Sequence, residues 1–197
     1  MTGKLLLLRS VEGVREEMSD EALLAACGAG DAAALGALFD RHHASVYRFL
    51  SRLAGTDSAS LDDLVQTTFL EVRRGARRFG GRAAVRSWIF GVAANVVRHQ
   101  VRGEIRRKSI LQACASLPAL AGTTPHQALE RRELVERLGA ALRTLSHDLR
   151  AAFVLCELEE VPGIEAARVL GVREGTLWRR LHEARRALRA AIDGEPE

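Results

Sequence analysis

The chain has 197 residues, 47% of them hydrophobic but only 5% aromatic, with a formal net charge of +4. That length carries one core or two small domains. Its three cysteines (Cys27, Cys114, Cys156) are odd in number, far apart and outside any CxxC or Cys/His cluster, which excludes a disulfide framework and a zinc site as readings.

In chain order, residues 1–18 show no usable periodicity and read as a flexible lead-in. Lys4 followed by Leu5–Leu8 is ended at once by Arg9, too short for a secretory or membrane segment, so a cytoplasmic protein without membrane insertion is expected. Ser19 is placed to cap a helix through about Ala26, and Asp31 a longer one carrying Leu35, Leu38, Phe39, His43, Val46, Tyr47 and Leu50. After a turn at Gly55–Ser58, Ser60–Leu61–Asp62–Asp63 matches a capping box before a third helix to about Arg78, packed through Leu64, Val65, Thr68, Phe69 and Val72. Phe79–Gly80–Gly81 breaks it. A fourth helix, from about Val85 to Arg107, turns Trp88, Ile89, Val92, Ala93 and Val96 inward. Residues 109–127 contain Pro118, Gly122, Pro125 and no Asp, Glu, Lys or Arg, and read as a linker. Further helices are expected at about 129–145, 147–158, 163–170 and 174–190. The fold class is therefore all-α, two small helical domains joined by a flexible linker.

Charge is distributed unevenly. Residues 72–108 hold ten Arg and one Lys against Glu104 alone, while the flanking stretches are slightly acidic. A polyanion gripped at separate places explains such asymmetry better than a uniformly basic surface does. The second concentration lies near the C-terminus. There Ile164, Ala167 and Leu170 form one short helix, Gly171 breaks it, and Val172 tucks beneath the turn. The next helix buries Leu177, Leu181, Ala184 and Leu188, and its other faces carry Arg173, Arg179, Arg180, Arg185, Arg186 and Arg189. Two short helices around a glycine turn, the second one basic, have the geometry of a major-groove reader. A merely solvated face would alternate its charges, yet only Glu174 and Glu183 oppose six arginines.

Three local readings follow from residue chemistry. Around Arg82, the glycines Gly80 and Gly81, with Phe79 and Trp88 at the base, suit a flexible basic loop on single-stranded DNA; both aromatics also fit plain core packing. Arg98, Arg102 and Arg106 recur every four residues as one basic stripe for duplex phosphates. Arg179 and Arg180 are each able to read guanine bidentately or hold phosphate.

Four motifs carry a family resemblance: Gly28–Ala29–Gly30–Asp31; Asp63–Leu64–Val65–Gln66–Thr67–Thr68–Phe69–Leu70; Arg86–Ser87–Trp88–Ile89 with Ala93–Ala94–Asn95; and Gly175–Thr176–Leu177. In this order and spacing they resemble bacterial RNA polymerase sigma factors of the extracytoplasmic-function (ECF, group IV) class, from about Ser19 to Ile192. The resemblance implies sigma region 2 at 19–108, the linker at 109–127, a region 4 helix-turn-helix at 128–192 and a tail at 193–197. It implies that Asp63, Gln66, Phe69 and Leu70 dock on the β′ coiled coil of polymerase core, with the β flap as a second contact and Phe69 serving core and partner together. It further implies −10 single-strand contacts from Phe79, Gly80, Gly81, Arg82, Arg86, Trp88 and Asn95, and duplex-phosphate contacts from Arg98, Arg102 and Arg106. Contacts to the −35 element are implied for Arg173, Thr176, Trp178, Arg179, Arg180 and Arg185. A cognate anti-sigma factor, a monomeric free state and no cofactor complete the expectation. The chain departs from the family pattern at Trp178 and Glu183, at His99 where Asp is common, and at Pro162, which replaces a Ser/Thr cap and is expected at the first helical position.

Two other functions compete. His42–His43, His147–Asp148 and Asp193 are of the ligand types of metal phosphohydrolases, but no phosphate loop or nucleophile motif accompanies them. A stand-alone helix-turn-helix regulator, dimeric on palindromic DNA, leaves the basic central segment without a purpose.

Overall fold

A computed structural model describes residues 17–54, 58–111 and 137–193, excepting the side chains of 58–59, 102–111 and 192–193. The described residues are helices and turns, in agreement with the all-α expectation. Helix α1 spans Asp20–Ala29; the Ser19 side chain accepts from the Ala22 N–H at 3.2 Å, and Gly30 closes the helix at φ +106°. Asp31 Oδ1 then accepts from the Ala33 and Ala34 amides and starts α2, Ala32–Ala54. Helix α3 covers Ser58–Gly75 and tightens into a 3-10 turn at Ala76–Arg78. Helix α4 is Val85–Leu111, four residues longer than the apolar pattern suggests.

Three local expectations are corrected. Helix α3 begins at Ser58, so Ser60 lies within its first turn and does not cap it. On α2 it is His42, bonded through Nε2 to Asp20 at 2.8 Å, that is buried; His43 is exposed and folds back on the Phe39 carbonyl. The buried aromatic there is Phe49, stacked on Phe90 with centroids 4.8 Å apart.

The second half comprises α5 (residues 137–144), α6 (His147–Phe153) and a π-helical turn at Val154–Leu158, followed by α7 (Gly163–Val169) and α8 (Glu174–Asp193). Gly171, at φ +67°, makes the bend between α7 and α8, and Val172 donates back to the Ala167 carbonyl at 2.9 Å. Pro162 stands one position before the helix, at its N-cap, and not within its first turn. Ile164, at helical spacing with Ala167 and Leu170, is nonetheless 57% exposed, and Ala166 takes an inward position.

The two halves share one core. Leu23, Phe49, Phe69, Ile89 and Phe90 from the first half join Ala151, Leu155, Ala167 and Leu181 from the second in a continuous buried cluster. Helix α4 is the wall between them, apolar nearly all round from Trp88 to Val97 because it is packed on two sides. Gly91 permits the approach: a Cβ there would lie 2.8 Å from the Val169 carbonyl oxygen and 2.9 Å from its Cβ. Arg150 ties the halves further, donating to the Leu53 carbonyl at the end of α2 and to the Arg143 and Leu145 carbonyls after α5.

Candidate nucleic-acid interface

The α3 side chains divide by burial. Asp63, Gln66 and Leu70 are exposed, Leu70 at 45%, and form one face. Phe69 is only 4% exposed and sits edge-on to Phe39 at 4.9 Å, so the helix gives it to the core. Beside Asp63 opens a cleft of about 640 Å³ between α3 and α4, lined by Thr67, Glu71, Val96, His99 and Gln100 among others. His99 therefore faces the Asp63 side of the molecule, a juxtaposition that sequence spacing does not reveal.

The loop between α3 and α4 presents Gly80, Gly81 and Arg82 to solvent, and Gly81 has φ +64°. Behind it, Phe79 meets Trp88 edge-to-face at 5.4 Å. The indole is half-buried against Gly75, where a Cβ would come within 3.1 Å of it. The two aromatics thus form the base of the loop, and neither is buried completely. Asn95 is exposed on α4 and accepts from Arg98 Nη1 at 3.2 Å. The helix continues unbroken through Arg102 and Arg106, whose side chains lie outside the described residues. Most of the expected linker, 112–127, also lies outside them.

On α8, Arg173, Trp178 and Arg179 are exposed, while Thr176 is half-buried. Trp178 lies across Gly163, whose Cβ would be 2.6 Å from the indole, yet the ring stays 51% exposed. Arg179 pairs along the helix with Glu183 at 3.4 Å. Arg180 turns inward to Asp148 at 2.5 Å, and Arg185 reaches Glu157 at 2.5 Å. Of the five arginines on this helix, Arg180 is the least exposed, its side chain 17% exposed.

Several contacts between the two halves were not foreseen from sequence. Asp148 contacts Arg98 at 3.6 Å as well as Arg180, joining the central basic segment to the C-terminal helix. His147, beside it, is half-buried against α4; burial first and the Arg98 charge second lower its pKa to about 4. Glu159 is buried, held by Arg52 Nη1 at 2.9 Å and Arg86 Nη2 at 2.6 Å. Glu165 accepts from the Ala84 N–H at 2.6 Å, and Arg168 donates to the Arg82 carbonyl. Glu159 and Glu165 lie 73 to 107 positions from their partners, beyond any periodicity rule. As for the histidine–acid pairs, His42 bonds Asp20 and His147 packs on α4; among the described residues no three His, Cys, Asp or Glu are grouped to hold a metal ion. No helix among the described residues is long and apolar enough to cross a membrane.

Comparison with known proteins fits this layout. Residues 38–107 match the family Sigma-70 region 2, and residues 135–188 match Sigma-70, region 4. The chain is 37% identical over 177 residues to ECF RNA polymerase sigma factor SigM of Mycobacterium tuberculosis, covering 89% of this chain and 86% of that protein. It is 31% identical over 175 residues to SigL of the same organism, covering 87% and 96%. Among solved structures, CnrH in complex with the cytosolic domain of CnrY superposes with a TM-score of 0.64 at 25% identity, covering 90% of this chain and 99% of that one. The sigma factor RpoE of Bartonella quintana, in complex with the anti-sigma factor NepR, shares the fold at a TM-score of 0.61 and 22% identity, covering 80% and 96%. With both conserved regions present in order and relatives matched over most of their length, the chain belongs to the ECF RNA polymerase sigma factors, the alternative sigma factors of transcription initiation.

Proposed function

We propose that this chain, as a group IV sigma factor acting in the cytoplasm, divides its work between domains at 19–108 and 128–192. The exposed face of α3, with Asp63, Gln66 and Leu70, docks on the β′ coiled coil of polymerase core, and Phe69 shapes that face from beneath. The second domain adds a contact to the β flap. The loop Phe79–Arg82, with Arg86, Trp88 and Asn95 behind it, receives the unpaired strand of the −10 element: guanidinium groups match phosphate charge, and an aromatic or amide meets an extruded base. Stacking returns roughly 1–3 kcal/mol per base toward the cost of unstacking. Arg98, Arg102 and Arg106 hold the adjoining duplex through its phosphates and position it without specifying sequence. Helix α8 enters the major groove of the −35 element with Arg173, Thr176, Trp178 and Arg179 foremost, and Arg185 at the phosphates. Arg180, drawn to Asp148, orients the helix when free and competes for DNA when that pair opens. The RpoE structure in complex with the anti-sigma factor NepR supports an anti-sigma partner for this chain as well, with the free chain a monomer.

The observation that carries the reading is the division of α3 into a buried stripe and an exposed Asp63–Gln66–Leu70 face beside an open cleft. Its test is co-elution of the purified chain with bacterial RNA polymerase core on size exclusion. Asp63→Arg is expected to abolish co-elution while leaving the helical circular dichroism unchanged. A chain that ignores core and runs as a dimer would overturn the assignment.

A further inference from the structure

The pair Arg52 and Arg86 approaches from two helices, α2 and α4, and converges on one carboxylate. Glu159 offers Oε1 to Arg52 at 2.9 Å and Oε2 to Arg86 at 2.6 Å, and its side chain is only 5% exposed. The two guanidinium groups remain 38% and 45% exposed, and Arg86 lies over the Phe90 ring at 4.8 Å, which fixes its plane. Two guanidinium groups, each donating to one of a pair of anionic oxygens, is also an arrangement that suits the two non-bridging oxygens of a phosphodiester. Arg86 opens the helix directly behind the basic loop, and Arg52 stands beside it although it lies outside the basic segment of the sequence.

The carboxylate comes from the other half, on an irregular piece of backbone. The π-helical turn Val154–Leu158 ends with the Glu159 N–H on the Val154 carbonyl at 3.0 Å, and Glu160 takes φ +54°, a conformation that non-glycine residues rarely adopt. Such irregularity is retained where surrounding structure demands it. Around this contact the same half also engages the loop itself: Glu165 accepts from Ala84, Arg168 donates to Arg82, and Asp148 takes Arg98. Of the groups engaged, Arg82, Arg86 and Arg98 belong to the surface assigned above to promoter DNA.

We infer that Arg52 and Arg86 form a binding site for one backbone phosphate of promoter DNA, and that Glu159 fills this site in the closed chain as an internal stand-in for that phosphate. The inference rests on the sigma-factor reading and adds to it a residue, Arg52, and a competition: the free chain meets DNA weakly because its own carboxylate holds the site, and holding the two halves apart releases it. Exchange of a carboxylate for a phosphodiester, each a monoanion, leaves the net charge at the site unchanged, so the closed and DNA-bound states differ little in electrostatic cost.

The experiment measures fluorescence anisotropy of a labelled mixed-sequence single-stranded DNA 20-mer against the full chain at several salt concentrations, alongside co-elution with polymerase core. Glu159→Gln is expected to raise the affinity of the free chain about tenfold. Adding Arg52→Ala is expected to remove that gain and to lower the salt slope by about 0.7, the value for one single-strand phosphate contact. Gly91→Ala serves as a second route, because its Cβ collides with Val169 and separates the halves without touching any charge; it too should raise affinity, and again only while Arg52 is present. An unchanged affinity in both Glu159→Gln and Gly91→Ala overturns the inference, as does a gain that survives Arg52→Ala. Loss of core co-elution across all variants, wild type included, would instead strike the sigma-factor reading.

Discussion

Adjacent residues on one helix have opposite duties here, and burial separates them. Phe69 is a core aromatic, so Phe69→Ala is expected to cost about 3–5 kcal/mol of stability, read from urea unfolding. Leu70→Arg, one position on, should leave that midpoint within about 0.5 kcal/mol and weaken the association with polymerase core. The helical spacing already put Phe69 on the packed side and grouped Asp63, Gln66 and Leu70 together; the edge-on partner Phe39, which comes from another helix, was not legible. Trp178 was the least legible residue. Its seat is the absent side chain of Gly163, a contact between helices that no spacing rule predicts. Gly163→Ala should displace the indole, red-shift its emission in a Trp88→Phe background and alter the base preference at the −35 element, while core binding stays intact.

At the level of helices, the apolar periodicity placed α1, α2 and α8 well because each buries a single stripe. It misjudged α4, where both sides are covered and nearly every position from Trp88 to Val97 is apolar, so that no stripe stands out. Chain ends between helices were harder still. The carbonyls at the end of α2 and after α5 find their donor in Arg150, whose role depends on tertiary closure and not on local sequence. Arg150→Met keeps the stem and removes the donors. It is expected to destabilise the chain by about 2–4 kcal/mol, since carbonyls turned away from water lose charged partners. The comparison with Arg150→Lys in urea unfolding separates charge from fork geometry, and Lys should recover only part of the loss.

Across the whole molecule the halves are closed on one another, an arrangement invisible in a sequence that reads as two domains and a linker. His147 lies at the seam with its pKa lowered to about 4, among Arg98 of α4, the Ala94 backbone, and Asp148 and Arg150 of its own helix. Between about pH 6.5 and 4 the parted or unfolded chain binds a proton there that the closed chain refuses, so closure is fully supported above about pH 6.5 and weakens as pH falls toward 4. The urea midpoint should decline over that window, and His147→Gln should flatten the part of the decline lying above the carboxylate range. A midpoint of equal slope in both proteins would contradict the assignment. The π-helical turn carries a different consequence. Such a turn is an α-helix holding one supernumerary residue, and every residue it displaces turns by about 100° about the axis. Deleting a single residue within Val154–Leu158 would restore ordinary winding and swing Glu159 out of register with Arg52 and Arg86, leaving composition and charge almost untouched. A relative that differs only by that one-residue gap would therefore inherit the same interfaces and lose the internal latch, so that its idle state would depend wholly on a second protein.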